Sequence, residues 1–124
     1  MNYYFNSQSD TLIRTALQRL NSEFYYGCSL IDIKTEGLTT RNSDNCQTYM
    51  VFVRFQFQKV FITFCVKSDG SGNLDYITIS DNYSIDIMIS KINESKSFWG
   101  IPISHVEEKV DRVYNSKSYR LYVL

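Results

Sequence analysis

The sequence predicts a single-domain α+β fold: an antiparallel sheet of about four to five strands, an N-terminal amphipathic helix on one face, and one or two further helices. Three observations predict it. Residues 9–24 repeat apolar side chains at three- and four-residue spacing, whereas residues 49–66 alternate with a period of two. No linker, repeat or low-complexity tract divides the 124 residues, a length typical of one domain. Residues 1–124 are therefore expected to fold as one unit.

The first element is a helix from about Ser9 to Phe24. Leu12, Ile13, Ala16, Leu17, Leu20 and Phe24 form one stripe, and Arg14, Gln18, Arg19 and Glu23 fall away from it. Ser7 or Ser9 suits the N-cap, and Gly27 stands where the helix would end. Cys28 to Thr35 then alternates as a strand, and the polar run from Glu36 to Asn45 reads as a surface loop.

The stretch YMVFVRFQFQKVFITFCVK, residues 49–67, is the loudest in the chain. Its apolar residues are odd-numbered up to Phe57 (Tyr49, Val51, Val53, Phe55) and even-numbered from Val60 (Ile62, Phe64, Val66). A straight strand cannot change parity, because successive side chains face opposite sides. A two-residue hairpin loop at Gln58-Lys59 changes it and sets Phe57 opposite Val60, Phe55 opposite Ile62, Val53 opposite Phe64 and Val51 opposite Val66. A bulge in one bent strand would shift parity as well, and Gln-Lys lacks the glycine or asparagine that tight hairpin turns prefer. The second face of this hairpin mixes Met50, Phe52, Arg54 and Gln56 with Phe61, Thr63, Cys65 and Lys67.

Ser68 to Asn73 reads as a glycine-containing connection and Leu74 to Ser80 as a strand. Ser84 to Ser90 alternates like a strand, yet Ile85, Met88, Ile89 and Ile92 also share a helical stripe with Asp81 or Asn82 as cap; a helix is expected. Gly100-Ile101-Pro102 breaks the chain. Ser104 and Glu107 match a capping box, with Val106, Val110 and Val113 on one face of a short helix. Tyr119 to Leu124 closes the chain as a strand that joins the sheet.

Composition excludes several classes. Thirteen basic and thirteen acidic residues cancel, which argues against a dedicated duplex-binding domain, because phosphate neutralisation carries such binding. A hydrophobic fraction of 44% with 21% charged residues is that of a globular protein. No apolar run reaches the roughly 20 residues that span a bilayer, and no signal peptide opens the chain, so no membrane association and a cytoplasmic location are expected. The three cysteines, Cys28, Cys46 and Cys65, then read as reduced thiols.

The chemistry-bearing motifs are sparse. Phe52-Val53-Arg54-Phe55 resembles the end of the aromatic signature of RNA-recognition sheets, which implies bases stacked on aromatics; the glycine-bearing first half is replaced by Gln47, Thr48 and Tyr49. Ser68 to Asn73 fails as a calcium loop because Cys65 and Lys67 occupy carboxylate positions. Close-spaced zinc pairs are missing. His105 is the only histidine and would have to serve any histidine-dependent hydrolase or transferase, while Glu107, Glu108 and Asp111 read as a solvated helix face. No catalytic residue, metal site or cofactor is therefore assigned.

The expectation is a small non-enzymatic binding protein acting through a protein–protein interface, with Met50, Phe52, Arg54, Phe61 and Lys67 as the binding surface. Tyr25, Tyr26, Tyr114 and Tyr119 would suit the same role if exposed. Length and an Asn/Ile/Lys/Tyr-rich composition fit an inhibitor, immunity or anti-defence protein of a mobile element, or an accessory subunit. The alternative is a single-stranded nucleic-acid or nucleotide binder using the same aromatic and basic face. A protein is the expected partner; self-association stays open.

Overall fold

The computed structural model describes residues 4–22, 30–40, 46–55, 59–81, 86–113 and 116–124. In chain order these form α1 (Ser7–Ser22), β1 (Leu30–Thr40), β2 (Gln47–Phe55), β3 (Lys59–Val66), β4 (Leu74–Asp81), α2 (Asp86–Ser95), β5 (Ser97–Phe98), β6 (Ile101–Asp111) and β7 (Ser116–Val123). Every pairing is antiparallel, in the order β1-β2-β3-β4-β7-β6-β5. Because β5 is only two residues long, six strands make the working sheet, more than expected.

Helix α1 touches both β1 and β6, five strands apart in the order. Flat, those strands would lie roughly 24 Å from each other at about 4.8 Å per step. A helix is only about 10–12 Å across, so the sheet must curl around α1. Ile13, Ala16 and Leu20 of α1 enter a core with Val51, Val60, Ile62, Phe64, Ile77, Ile79 and Leu121. Met88, Ile89 and Ile92 of α2 join the same core. Both helices therefore pack on one face, the concave one.

The start of α1 differs from expectation. Its cap is Asn6, whose Oδ1 accepts from Ser9 N at 2.8 Å while its carbonyl accepts from Asp10 N at 3.0 Å. Ser9 is buried instead, and its hydroxyl donates to Gly72 O at 2.9 Å. The expected helix end at Phe24 and Gly27, and Cys28, lie outside the described residues.

Strand β1 runs on to Thr40, so residues 36–40 of the expected Glu36–Asn45 loop are strand, and residues 41–45 lie outside the described residues. Register shifts at Leu30/Asp32 and Thr35/Gly37 break its alternation, which is why its second half reads as aperiodic.

The β2–β3 hairpin forms, with a different register: Val53 faces Val60, Val51 faces Ile62 and Tyr49 faces Phe64. The chain does not turn at Gln58-Lys59; Lys59 is already in β3, opposite Arg54. Gln-Lys lacks the residues that tight turns prefer, and the Arg54–Lys59 pairing rules out a two-residue loop at that position. Phe57 and Gln58 lie outside the described residues. The slip is an even number of residues, so each strand residue keeps its face.

The helix expected after Ser104 is instead β6, an eleven-residue strand. Valines four apart satisfy a helical stripe and a period-two strand equally, and pairing with β7 from Ile103 to Asp111 decides for the strand. Val113, the third valine of the expected stripe, lies in the following turn at 85% exposure. Upstream, the expected helix does form, as α2; Asn82 and Ser84 lie outside the described residues. The closing strand begins at Ser116 and lies between β4 and β6.

Candidate functional site

The face of the sheet away from the helices is built from three cross-strand rows. Thr48, Cys65, Tyr76, Tyr122 and His105 face one another in turn across β2, β3, β4, β7 and β6. Met50, Thr63, Thr78, Arg120 and Glu107 form the next row, and Phe52, Phe61, Ser80, Ser118 and Lys109 the third. Alternation makes this face, because inward Ile77, Ile79, Tyr119 and Leu121 are buried between outward polar or aromatic neighbours.

Two aromatic clusters stand on it. Phe52 and Phe61 pair at 5.0 Å between ring centroids, and Phe61 is 48% exposed. Some strands away, His105 stacks on Tyr122 at 4.5 Å with 16° between planes, and Tyr122 meets Tyr76 at 6.2 Å. The Arg120 guanidinium lies 4.2 Å over the Tyr76 ring. Tyr122 donates its hydroxyl to Glu107 Oε2 at 3.1 Å.

The His105–Tyr122 stack has a defined orientation. The two residues are cross-strand neighbours, and their ring separation matches the spacing of adjacent strands. Each ring therefore covers one face of the other. Arg120 occupies one face of Tyr76 in the same way. Burial lowers the pKa of Arg120, but the hydrogen bond with Tyr122 and the neighbouring tyrosines outweigh it and hold the guanidinium above its ordinary value.

Of the residues expected to form the site, Met50, Phe52 and Phe61 come together on this face. Arg54 stands in β2 at the register position opposite Lys59; its side chain lies outside the described residues. Lys67 is elsewhere. A register shift after Cys65 ends the β3 ladder, and Lys67 N donates to Asn73 O at 2.9 Å. The Lys67 side chain lines a cleft beside the start of α1 with Gln8, Ser9 and Leu12.

Tyr76, Arg120 and Tyr122 complete the face without having been singled out from the sequence, and His105 and Glu107, read as a lone histidine and part of a solvated helix face, join them. Their signal was the alternation of LDYITIS and YRLYVL, whose outward residues acquire meaning only once the strand order is known. Tyr119, considered as an exposed tyrosine, faces the core at 5% exposure; Tyr25, Tyr26 and Tyr114 lie outside the described residues.

His105 is not at a helix start. It stands on β6 with Ser104 Oγ 2.6 Å from its Nδ1, in an exposed position and without a helix dipole. Cys46 and Cys65 are buried, and Cys46 Sγ donates to Ser68 Oγ at 3.4 Å. Among the described residues, no three His, Cys, Asp or Glu side chains group to hold a metal ion. Likewise, no helix among them is long and apolar enough to cross a membrane. No protein-family model, curated protein or solved structure matches the chain.

Proposed function

We propose that the chain is a non-enzymatic binding protein whose outer sheet face docks on a protein partner, as a small inhibitor, immunity or anti-defence protein or an accessory subunit does. One observation carries this reading: both helices pack on the concave face, which leaves Phe52–Phe61 and the His105–Tyr122–Tyr76–Arg120 cluster half-exposed on an outer face that crosses five of the six long strands. Tyrosine and arginine anchors set among neutral polar groups are what protein interfaces use. Nucleobase stacking needs free ring faces, and His105 and Tyr122 each cover one face of the other while Arg120 covers one face of Tyr76. The described charges on the face, Arg120, Lys109 and Glu107, are of mixed sign and make no phosphate track.

The test compares the wild-type protein with Phe61→Glu and with Val113→Glu, a control on an exposed turn. Each is immobilised and exposed to lysate of the source or host cell, and each is titrated with labelled single-stranded RNA and DNA at low salt. One protein retained by wild type and the control, lost with Phe61→Glu, and then bound directly in purified form is the expected result. Oligonucleotide binding abolished by Phe61→Glu would replace this reading with the nucleic-acid one. Retention of the same proteins by all three variants would remove the face from the function.

A further inference from the structure

We infer that β6 pairs with β6 of a second copy, antiparallel about a two-fold axis through Glu108, to make one continuous sheet across two molecules. The first observation is an open edge. On its inner side β6 pairs with β7 from Ile103 to Asp111. On its other side it has β5 only at Ile101 and Pro102, and Lys96 O accepts from Ile103 N at 2.9 Å. Among the described residues, no strand pairs with that side beyond Ile103. Unpaired donors and acceptors along such an edge are a template for another strand.

The second observation is the charge pattern. In a symmetric antiparallel pair, only registers centred on a residue keep each face of the sheet continuous. Centred on Glu108, the pairing sets Glu107 opposite Lys109 of the second copy and Lys109 opposite Glu107, both on the outer face. It sets Val106 opposite Val110 twice on the inner face, where Val110 is now 54% exposed. The two Glu108 carboxylates meet at the axis, and each already has Lys117 Nζ at 3.6 Å within its own molecule.

Neighbouring registers are worse. Centring on Glu107 or Lys109 also sets like charges on the axis and, unlike the Glu108 register, leaves valine facing glutamate. Centring on Val106 runs into β5, and centring on Val110 runs past the strand end at Asp111. The Glu108 register pairs His105 to Asp111 and is the one that matches valine with valine and glutamate with lysine along the open edge. Edge charges normally discourage pairing; here their signs are arranged to match a rotated copy.

The experiment is light scattering coupled to size exclusion at micromolar concentration. The expected mass is twice the 14.5 kDa of one chain. Lys109→Glu, which turns both cross-strand pairs repulsive, should give monomer. The double variant Glu107→Lys with Lys109→Glu restores opposite charges in the same register and should recover the dimer. Circular dichroism checks that each variant is folded. In parallel, Glu108→Cys should form a disulfide-linked dimer under mild oxidation where Val113→Cys and wild type do not. A monomeric wild type overturns the inference, and so does a dimer that ignores Lys109→Glu and is not trapped by Glu108→Cys. If Phe61→Glu alone dissociates the dimer, the contact lies on the sheet face and the edge proposal fails.

Discussion

Asn6 N donates to Gly72 O at 2.8 Å, and this bond locks the start of α1 to the β3–β4 connection. The Asn6 side chain adds to it: Nδ2 donates to Asn73 Oδ1 at 2.7 Å while Oδ1 caps the helix at Ser9 N. One asparagine thus starts a helix and positions a hairpin. Gly72 is required for the approach, since its φ is +79° and a Cβ there would come within 2.8 Å of Asn6 N and Tyr4 O.

Gly72→Ala is therefore expected to destabilise the fold by about 2 kcal/mol or more, from left-handed backbone strain together with a backbone clash. Urea denaturation followed by far-UV circular dichroism measures it. Stability equal to wild type would mean that the Asn6–Gly72 contact does not hold in solution.

Phe61 and Phe64 sit three residues apart on β3 and face opposite ways. Phe64 is fully buried and meets Phe98 edge-on at 6.0 Å; Phe61 stands half-exposed on the outer face. Phe64→Ala should cost about 3–5 kcal/mol by emptying the core, whereas Phe61→Ala should cost about 1 kcal/mol or less, the worth of an exposed aromatic pair. Denaturant midpoints decide between them, and comparable losses would contradict the assignment of faces.

How much of this was legible in the sequence depends on where the information lies. The α1 stripe was readable because Leu12, Ala16 and Leu20 recur at helical spacing, with little competition from another period. The two faces of β2 and β3 were readable from parity alone, and they remained correct through the register slip because the slip was even. The fate of Val106 and Val110 was not readable. Residues four apart fit both periods, and only β7, read later in the chain, supplies the partner that makes β6 a strand. The site divides likewise: Phe52 and Phe61 meet across a local hairpin, whereas Arg120 reaches Tyr76 only through the long-range pairing of β4 with β7. Lys67 followed the parity of its strand on paper and left that face because the ladder ends in an irregularity after Cys65.

Acid should loosen the β3–β4 connection through Asp69. The Ser71 hydroxyl and the Ser71 N–H, which donates to Asp69 Oδ1 at 2.9 Å, hold this exposed carboxyl below its ordinary value. A carboxylate whose folded pKa is depressed stabilises the fold above its unfolded pKa, and that contribution is lost as pH falls through the folded value. Asp69→Asn should therefore flatten the pH dependence of stability between about pH 5 and pH 2 while changing little at neutral pH. Carboxyl NMR titration provides the direct check. An Asp69 that titrates at or above the ordinary value would show that the Ser71 bonds are not formed in solution.

Arg120 and Tyr76 offer the sharpest test of the outer face, because their contact depends on long-range strand order and on side-chain packing together. A guanidinium over a partly exposed tyrosine is worth about 0.5–1 kcal/mol, and its planar stacking is not reproduced by an ammonium. A double-mutant cycle of Arg120→Lys and Tyr76→Leu should return a coupling energy of that size. Near-zero coupling would mean that the cation does not rest on the ring. That face of Tyr76 would then be free, and nucleobase stacking on it would become sterically available.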